Sequence, residues 1–304
     1  MKDLFYKKLT YILSEDQIKR DELMENHTTL HIGGAADYFV TPLQVEDVKK
    51  VVGLCRQENI PCFILGNGSN LLVSDEGYRG LVINFGEQFS DICVKEDGLV
   101  TAQAGVLLAR LANIVAAHSL TGFEFASGIP GSLGGAVTMN AGAYDGEMKQ
   151  CIVRAEVMDL EGNILELSNE ELELGYRTSI LQTKHYILLE ADLKLEAGDT
   201  TLILEKMNEL NARRRDKQPL EQYSCGSTFK RPEGHFAAKL ISDAGLKGYQ
   251  VGGAAVSVKH CGFVINKDHA TAKEFLTVVN DVIAIVKEQF NVTLEPEVRF
   301  LGEF

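Results

Sequence analysis

Two glycine-rich segments, a serine turn, an arginine turn, a basic run and a C-terminal pair of glutamates hold the candidate chemistry of this chain. The longest, Ser127–Glu147, reads SGIPGSLGGAVTMNAGAYDGE. It carries Gly128, Gly131, Gly134, Gly135, Gly142 and Gly146, with no charged side chain before Asp145. Glycine reaches positive φ and allows close approach to a ligand. Successive N–H groups freed in this way can face one anion. The composition suits a diphosphate held by main chain beside a flat apolar ring. A tight loop needing positive φ for packing reads from the same residues. The second segment, GNGSN at Gly66–Asn70, lies between the apolar runs PCFIL and LLV, about 60 residues upstream. There Ser69 and Asn70 can donate to phosphate oxygens. One such turn is ordinary, but two together supply the two walls that a long dinucleotide needs. GxGxxG with a following helix and a ribose-binding acid is missing, so a Rossmann site is a poor reading.

Ser227 sits in YSCGSTFKRP. Phe229 occupies the position where a hydrolase elbow requires glycine, so Ser227 is a proton donor, a nucleophile of another kind or a turn residue. Arg213, Arg214, Arg215, Lys217, Lys230 and Arg231 form a basic island in an acidic chain. Clustered arginines suit bidentate phosphate contacts; a solvated helix end favoured by the helix dipole reads equally. Arg177 lies in LGYRTS, and LEPEVRF brings Glu295, Glu297 and Arg299. Strand alternation over Val292–Phe300 would put those three on one face, which by itself describes a surface ion-pair row.

The elements that must position these residues fit a chain of 304 residues with an ordinary apolar share, long enough for about two domains or three small ones. A net charge of −13 argues against general binding to nucleic acid or anionic membrane. Cys55, Cys62, Cys93, Cys151, Cys225 and Cys261 form no CxxC pair, and no metal-ligand spacing occurs. The start resembles no secretory signal, and no run approaches a membrane span. A reduced, cytoplasmic setting is expected.

Residues 1–25 read as helical. His31–Val40 runs from near a glycine pair into a strand, and Val45–Asn59 is an amphipathic helix. Strands are expected at Phe63–Leu65, Leu71–Val73 and Gly80–Phe85, then a hairpin turning at Glu96–Gly98. Leu107–Leu120 is a helix. Cys151–Ser168 holds two strands joined at Glu161–Asn163, and His185–Gly198 another. Helices follow in Leu202–Gln218, Phe236–Leu246 and Glu274–Phe290, with strands within Gly252–Asn266. Boundaries near 84 and 198 divide the chain into 1–84, 85–198 and 199–304.

The order GNGSN, SGIPGSLGGAVTMNAGAY, GYRTS, RRRDKQP, CGSTFKRP and LEPEVRF resembles the UDP-N-acetylenolpyruvoylglucosamine reductases, from about residue 25 to 304. The resemblance implies an α+β protein. Its first part would be an FAD-binding module of the vanillyl-alcohol-oxidase type in two subdomains (1–84 and 85–198), and its last a C-terminal α+β substrate domain (199–304). Non-covalent FAD would lie against Gly66, Asn67, Gly68, Ser69, Asn70, Leu71, Ser127, Gly128, Ile129, Pro130, Gly131, Ser132, Gly134, Gly135, Asn140, Ala141 and Gly142. The family's catalytic arginine, serine and glutamate fall on Arg177, Ser227 and Glu297 (not Glu295). Its substrate anchors fall on Tyr144, Arg214, Lys217 and Arg299. Arg231 departs from the asparagine of some members. The short connection from Arg177 to Arg213 resembles the shorter class, without the extra tyrosine loop.

The resemblance further implies reduction of UDP-N-acetylglucosamine enolpyruvate to UDP-N-acetylmuramate by NADPH through FAD, by a cytoplasmic monomer in peptidoglycan synthesis. Hydride would reach C3 of the vinyl ether and Ser227 would protonate C2. Arg177 and a protonated Glu297 would stabilise the enolate-like charge. A flavin oxidase of the same fold and a non-catalytic UDP-sugar-binding module are the alternatives. Ala35 after Gly33–Gly34, where covalent members carry histidine, speaks against covalent flavin.

Overall fold

The structure is a computed structural model that describes residues 2–304. It contains helices α1 (Lys2–Leu9), α2 (Val45–Glu58), α3 (Leu108–Ala117), α4 (Leu133–Thr138), α5 (Ile180–Lys184), α6 (Thr200–Lys217), α7 (Ala237–Asp243) and α8 (Ala272–Phe290) among six small sheets. Packing divides the chain into two discontinuous units. The first holds the residues up to Arg20, Tyr38–Asn67 and Gly80–Arg213; the second holds Asp21–Asp37, Gly68–Arg79 and Arg214–Phe304.

The first unit contains an antiparallel sheet in the order Ile164–Ser168, Ile152–Met158, Ile187–Lys194, Leu99–Gln103, Ile92–Val94. The three central strands put fully buried side chains such as Ala155, Val157, Leu193 and Val100 into the core. α3 covers that core with Leu108, Leu111, Ala112 and Val115, an i, i+3, i+4, i+7 stripe. Phe5 of α1 meets Tyr38 with ring centroids 4.9 Å apart. The parallel pair Cys62–Leu65 and Tyr78–Asn84 places the first glycine turn directly after Leu65.

In the second unit an antiparallel sheet runs Tyr223–Ser224, Val264–Asn266, Ala254–Val256, Gln250–Val251. α8 packs with Phe275, Val278, Val279, Val282 and Val286 in the core. Its start is fixed twice: Thr271 and Glu274 form a capping box, and the Asp75 carboxylate accepts the Ala272 and Lys273 amides at 2.7 and 3.0 Å. Arg299–Leu301 runs parallel to Leu71–Val73.

Two local expectations change. Residues 1–25 are not one helix: α1 ends at Leu9 and Ile18–Leu23 is a strand. The strand expected after the glycine pair is present and begins at Ala35, behind the bend that His31 at φ 51° and Gly33 at φ 141° make. Val292–Phe300 is not a strand; only Arg299–Leu301 is, after Pro296 has removed a donor.

Candidate active site

The first glycine turn is built by close packing. Asn84 Nδ2 donates to the carbonyls of Leu65 and Gly66 at 3.2 and 2.9 Å, fixing the end of the strand. A Cβ on Gly66 would lie 2.2 Å from Ser132 Oγ, and Asn67 Nδ2 donates to the Pro130 carbonyl at 2.7 Å. Gly66 and Asn67 therefore rest on the second glycine segment. Gly68 has φ 61°, and a Cβ there would stand 2.0 Å from the His27 carbonyl oxygen. Asn70 faces the C-terminal segment: its Nδ2 donates to the Glu297 carbonyl at 3.1 Å and its carbonyl accepts the Arg299 amide. Leu71 is buried at the start of Leu71–Val73.

The long glycine segment holds its shape differently from the sequence expectation. Gly134, Gly135, Gly142 and Gly146 lie outside the left-handed region, whereas Asn140, Tyr144 and Asp145 lie within it, at φ 44°, 52° and 68°. Gly142 and Gly146 make room instead. A Cβ on Gly146 would meet the Phe125 ring at 2.5 Å, and one on Gly142 the Gly146 carbonyl oxygen at 2.6 Å. Ser132 caps α4, and the Leu133 and Gly134 amides donate to the carbonyls of Val106 and Ala104. Those two N–H groups are spent on protein.

Others are not. Among the described residues the backbone N–H groups of Asn67, Gly128, Gly131 and Ser132 meet no protein acceptor. No acidic side chain lies in Gly66–Asn67 or Ser127–Asn140. A group of main-chain donors beside small residues fits the diphosphate of a dinucleotide. Ser127 closes a turn, its Oγ donating to the Glu124 carbonyl, and Ile129 and Pro130 lead into α4.

Asn140 joins this segment to the arginine turn. It is buried; its Nδ2 donates to Glu147 Oε2 and to the Gly175 carbonyl, both at 3.1 Å, and its Oδ1 accepts the Lys149 amide. Ser179 Oγ and Gln182 Nε2 both donate to the Thr138 carbonyl at 2.6 Å, and Gly175 and Thr178 bond each other. Arg177 is thus held at φ 57°, with its guanidinium 5.1 Å from the centre of the Tyr176 ring. Non-glycine residues are uncommon there, and such strain gathers at functional sites. From Arg177 to Arg213 the chain is taken up by α5, Ile187–Lys194 and α6, with short connections.

In the second unit Ser227 and Glu297 come together. The Lys230 amide donates to the Glu295 carbonyl and the Glu297 amide to the Thr228 carbonyl, both at 2.8 Å, with Phe229 and Pro296 bridged between them. Thr228 is fully buried; its amide donates to the Gly262 carbonyl and its Oγ1 accepts the Val264 amide, both at 2.9 Å. Gly226 turns the chain at φ 77°. Ser227 is half-buried, and among the described residues its hydroxyl has no protein partner. Glu295 is exposed and paired with Lys230 at 3.2 Å, while Glu297 is half-buried. Burial, with a smaller contribution from Glu297, pushes the Cys225 thiol up to about 12, so it stays protonated at neutral pH.

The anchors are distributed by unit. Tyr144 belongs to the first, where Arg213 lies 4.8 Å above its ring centre and 3.6 Å from Glu209. Sequence reading selected Arg214 and not Arg213; in three successive arginines only the phase of the helix tells them apart. Arg214 is half-buried and Lys217 exposed at the end of α6, both in the second unit. Partial desolvation lowers the pKa of Arg299, which keeps its charge because its ordinary value is so high. Arg231 stacks 4.1 Å from the centre of the Phe236 ring. Arg177 belongs to the first unit, Ser227 and Glu297 to the second.

Comparison with known proteins agrees with this architecture. A family model described as an FAD binding domain matches residues 36–168, and one described as the UDP-N-acetylenolpyruvoylglucosamine reductase C-terminal domain matches residues 218–301. A UDP-N-acetylenolpyruvoylglucosamine reductase from Lachnoclostridium phytofermentans is 54% identical over 306 residues, covering 100% of this chain and 99% of its own. One from Clostridium novyi is 53% identical, covering 98% and 96%. The crystal structure of the reductase from Thermus caldophilus superposes with a TM-score of 0.80 at 36% identity, covering 94% of this chain and 99% of that one. A glucose dehydrogenase, Phl p 4.0202, shares the fold alone, with a TM-score of 0.51 at 13% identity over 64% of this chain and 44% of its own. The α+β fold with a vanillyl-alcohol-oxidase-type flavin module followed by a C-terminal domain is therefore present, and the chain belongs to the family of UDP-N-acetylenolpyruvoylglucosamine reductases.

Proposed function

We propose that this chain reduces UDP-N-acetylglucosamine enolpyruvate to UDP-N-acetylmuramate at the expense of NADPH, a CH–CH oxidoreduction in peptidoglycan precursor synthesis and so in cell-wall growth, shape and division. Bound FAD supplies the two-electron transfer between nicotinamide and vinyl ether. The protein's task is to hold the diphosphate, polarise the enolpyruvyl group and deliver one proton.

The amides of Asn67, Gly128, Gly131 and Ser132, which meet no protein acceptor among the described residues, would hold the FAD diphosphate without a cationic side chain. The rest of Gly66–Leu71 and Ser127–Gly142, including Ile129, Pro130, Gly134, Gly135, Asn140 and Ala141, shapes the cradle. Tyr144, Arg214, Lys217 and Arg299 hold the substrate, the cations answering its diphosphate and carboxylate. The role read for Arg177 and a protonated Glu297 is to stabilise the charge that develops on the enolpyruvyl carboxylate and C2, where fixed donors lower the barrier. The Ser227 proton goes to C2, and its oxygen regains a proton before the next turnover.

The observation that carries this reading is the Ser227 hydroxyl, left without a protein partner on a turn bonded to the Glu297 segment. In functional terms 1–84 and 85–198 serve the flavin and 199–304 the substrate, although Asp21–Asp37 and Gly68–Arg79 pack with the second compact unit. Among the described residues no helix is long and apolar enough to cross a membrane. We infer a monomer working in the cytoplasm.

An anaerobic absorbance titration tests the proposal. Oxidised flavin absorbance should bleach with NADPH and return with the enolpyruvyl substrate. Return only on admission of oxygen identifies an oxidase, and a protein that cannot be loaded with FAD overturns the cradle.

A further inference from the structure

We propose that Thr29 is a positioning residue that sets the Ser227 hydroxyl from the flavin-side turn at Gly68; the inference rests on the proton-donor role read for Ser227. Thr29 bonds in two directions within the second unit. Its amide donates to the Gly68 carbonyl at 3.2 Å, and its Oγ1 donates to the Ser224 carbonyl at 2.7 Å. One residue therefore connects the glycine turn with the strand end that leads into Ser227.

Both connections are closely packed. On the Gly68 side, the missing Cβ leaves room for the His27 carbonyl and the Thr28 Cα, which such an atom would meet at 2.0 and 2.9 Å. On the Ser224 side, Asn266 pairs across from Tyr223, and its Nδ2 donates to the carbonyls of Leu30 and His31 at 2.9 and 3.3 Å. The His31 ring lies 4.1 Å, centre to centre, from that of Tyr223. Leu30 and Ile32 anchor the loop in the core. His31 at φ 51° is a bent backbone that these contacts hold.

Ser227 is suspended between unequal supports. Thr228, after it, is buried and bonded to Gly262 and Val264. Before it stands Gly226, around which a Cβ would find nothing within 4 Å. With open space beside Gly226, the placement of Ser227 on that side is set by Cys225, buried in the core, and by the strand end behind it. That strand end is short, Tyr223–Ser224, and Thr29 Oγ1 takes the Ser224 carbonyl. Losing this bond leaves Ser227 in place chemically but free to miss C2, and small misplacements cost proton transfer heavily.

The test compares wild type, Thr29→Val, Thr29→Ala and Thr29→Ser by anaerobic stopped flow, in H2O and D2O. FAD reduction by NADPH and reoxidation by UDP-N-acetylglucosamine enolpyruvate are followed separately. Valine keeps the branched shape without the donor, and alanine removes it without any clash. Both variants should slow reoxidation about 10-fold, and leave reduction by NADPH within about 2-fold, since hydride from nicotinamide needs no proton from Ser227. The solvent isotope effect on reoxidation should rise, and Thr29→Ser should restore the rate. Equal losses in both half-reactions, an unchanged reoxidation rate or failure of serine to rescue overturns the inference. Wild-type protein that is reduced by NADPH but never reoxidised by the substrate overturns the Ser227 reading itself, and the inference with it.

Discussion

The Glu297 amide donates to the Thr228 carbonyl at 2.8 Å, which makes the segments carrying Glu297 and Ser227 one antiparallel pair. The carboxyl group and the hydroxyl that the proposed chemistry uses thus share one backbone scaffold, braced by Asn70 at the Glu297 carbonyl. The same pairing distinguishes the two glutamates. Glu295 is drawn outward to Lys230, and Glu297, two residues on, stays half-buried.

Ser227→Ala should separate the half-reactions. Reduction of the flavin by NADPH stays within about 3-fold of wild type, while reoxidation by the enolpyruvyl substrate falls by about 10²–10⁴, the range of a lost general acid. Rapid-mixing absorbance on the anaerobic protein reads both. Equal losses would remove the role given to Ser227.

Lys217→Ala should act on binding. Lys217 is exposed at the end of α6 and offers a point charge to a nucleotide diphosphate. Calorimetry should show both NADPH and the UDP substrate binding about 10-fold more weakly, with the rate at saturation little changed. Unaltered affinity for the UDP substrate contradicts the anchor.

Gly66→Ala should weaken the cradle. The new Cβ would have to stand 2.2 Å from Ser132 Oγ, so either the turn or the α4 cap must shift. The expected loss of stability is about 1–3 kcal/mol, as for overpacking elsewhere, together with less bound flavin on purification. Visible absorbance relative to protein absorbance, and a melting curve, check the two effects. Wild-type flavin content in the variant would show that the close approach of Gly66 to Ser132 does not matter for binding.

Burial lowers the pKa of His260, whose Nδ1 accepts the Gly262 amide. An unfolded histidine takes up a proton as pH drops through about 6.5, while His260 in the fold resists it. The unfolded state then binds more protons, so this group's contribution is full above that value and declines as pH falls toward the lower folded pKa. His260→Asn should flatten that acid limb. Urea midpoints at pH 7.5 and 5.5, in variant and wild type, measure the change; an identical slope would mean that His260 does not contribute.

The sequence read well where a residue's type alone sets the outcome. A helix was expected over Glu274–Phe290, and α8 spans it, beginning two residues earlier at Ala272, where Thr271 and Glu274 cap it. Less was legible where geometry depends on distant partners. The glycines of Ser127–Glu147 suggested left-handed backbone, yet Asn140, Tyr144 and Asp145 adopt it, because Asn140 is held by Glu147, Lys149 and Gly175. Ile18–Leu23 looked helical by composition, but pairing within a sheet made it a strand, as tertiary context often does. Thr29 was silent since nothing in TTLHIGG tells that its hydroxyl meets a carbonyl 195 positions away.

The interleaved composition of the two compact units bears on how the protein can be dissected. Five points along the chain, at 20/21, 37/38, 67/68, 79/80 and 213/214, separate stretches that belong to different units. A C-terminal fragment cut at residue 199 or 214 would lack Leu30, Ile32 and Leu72, all buried in the core of the unit it came from. It would also lack Asp75, leaving the first turn of α8 without one of its caps. No contiguous fragment reproduces either unit. Deletion series and split reporters would score such pieces as unfolded whatever chemistry their residues carry, whereas point substitutions in the intact chain keep both units whole.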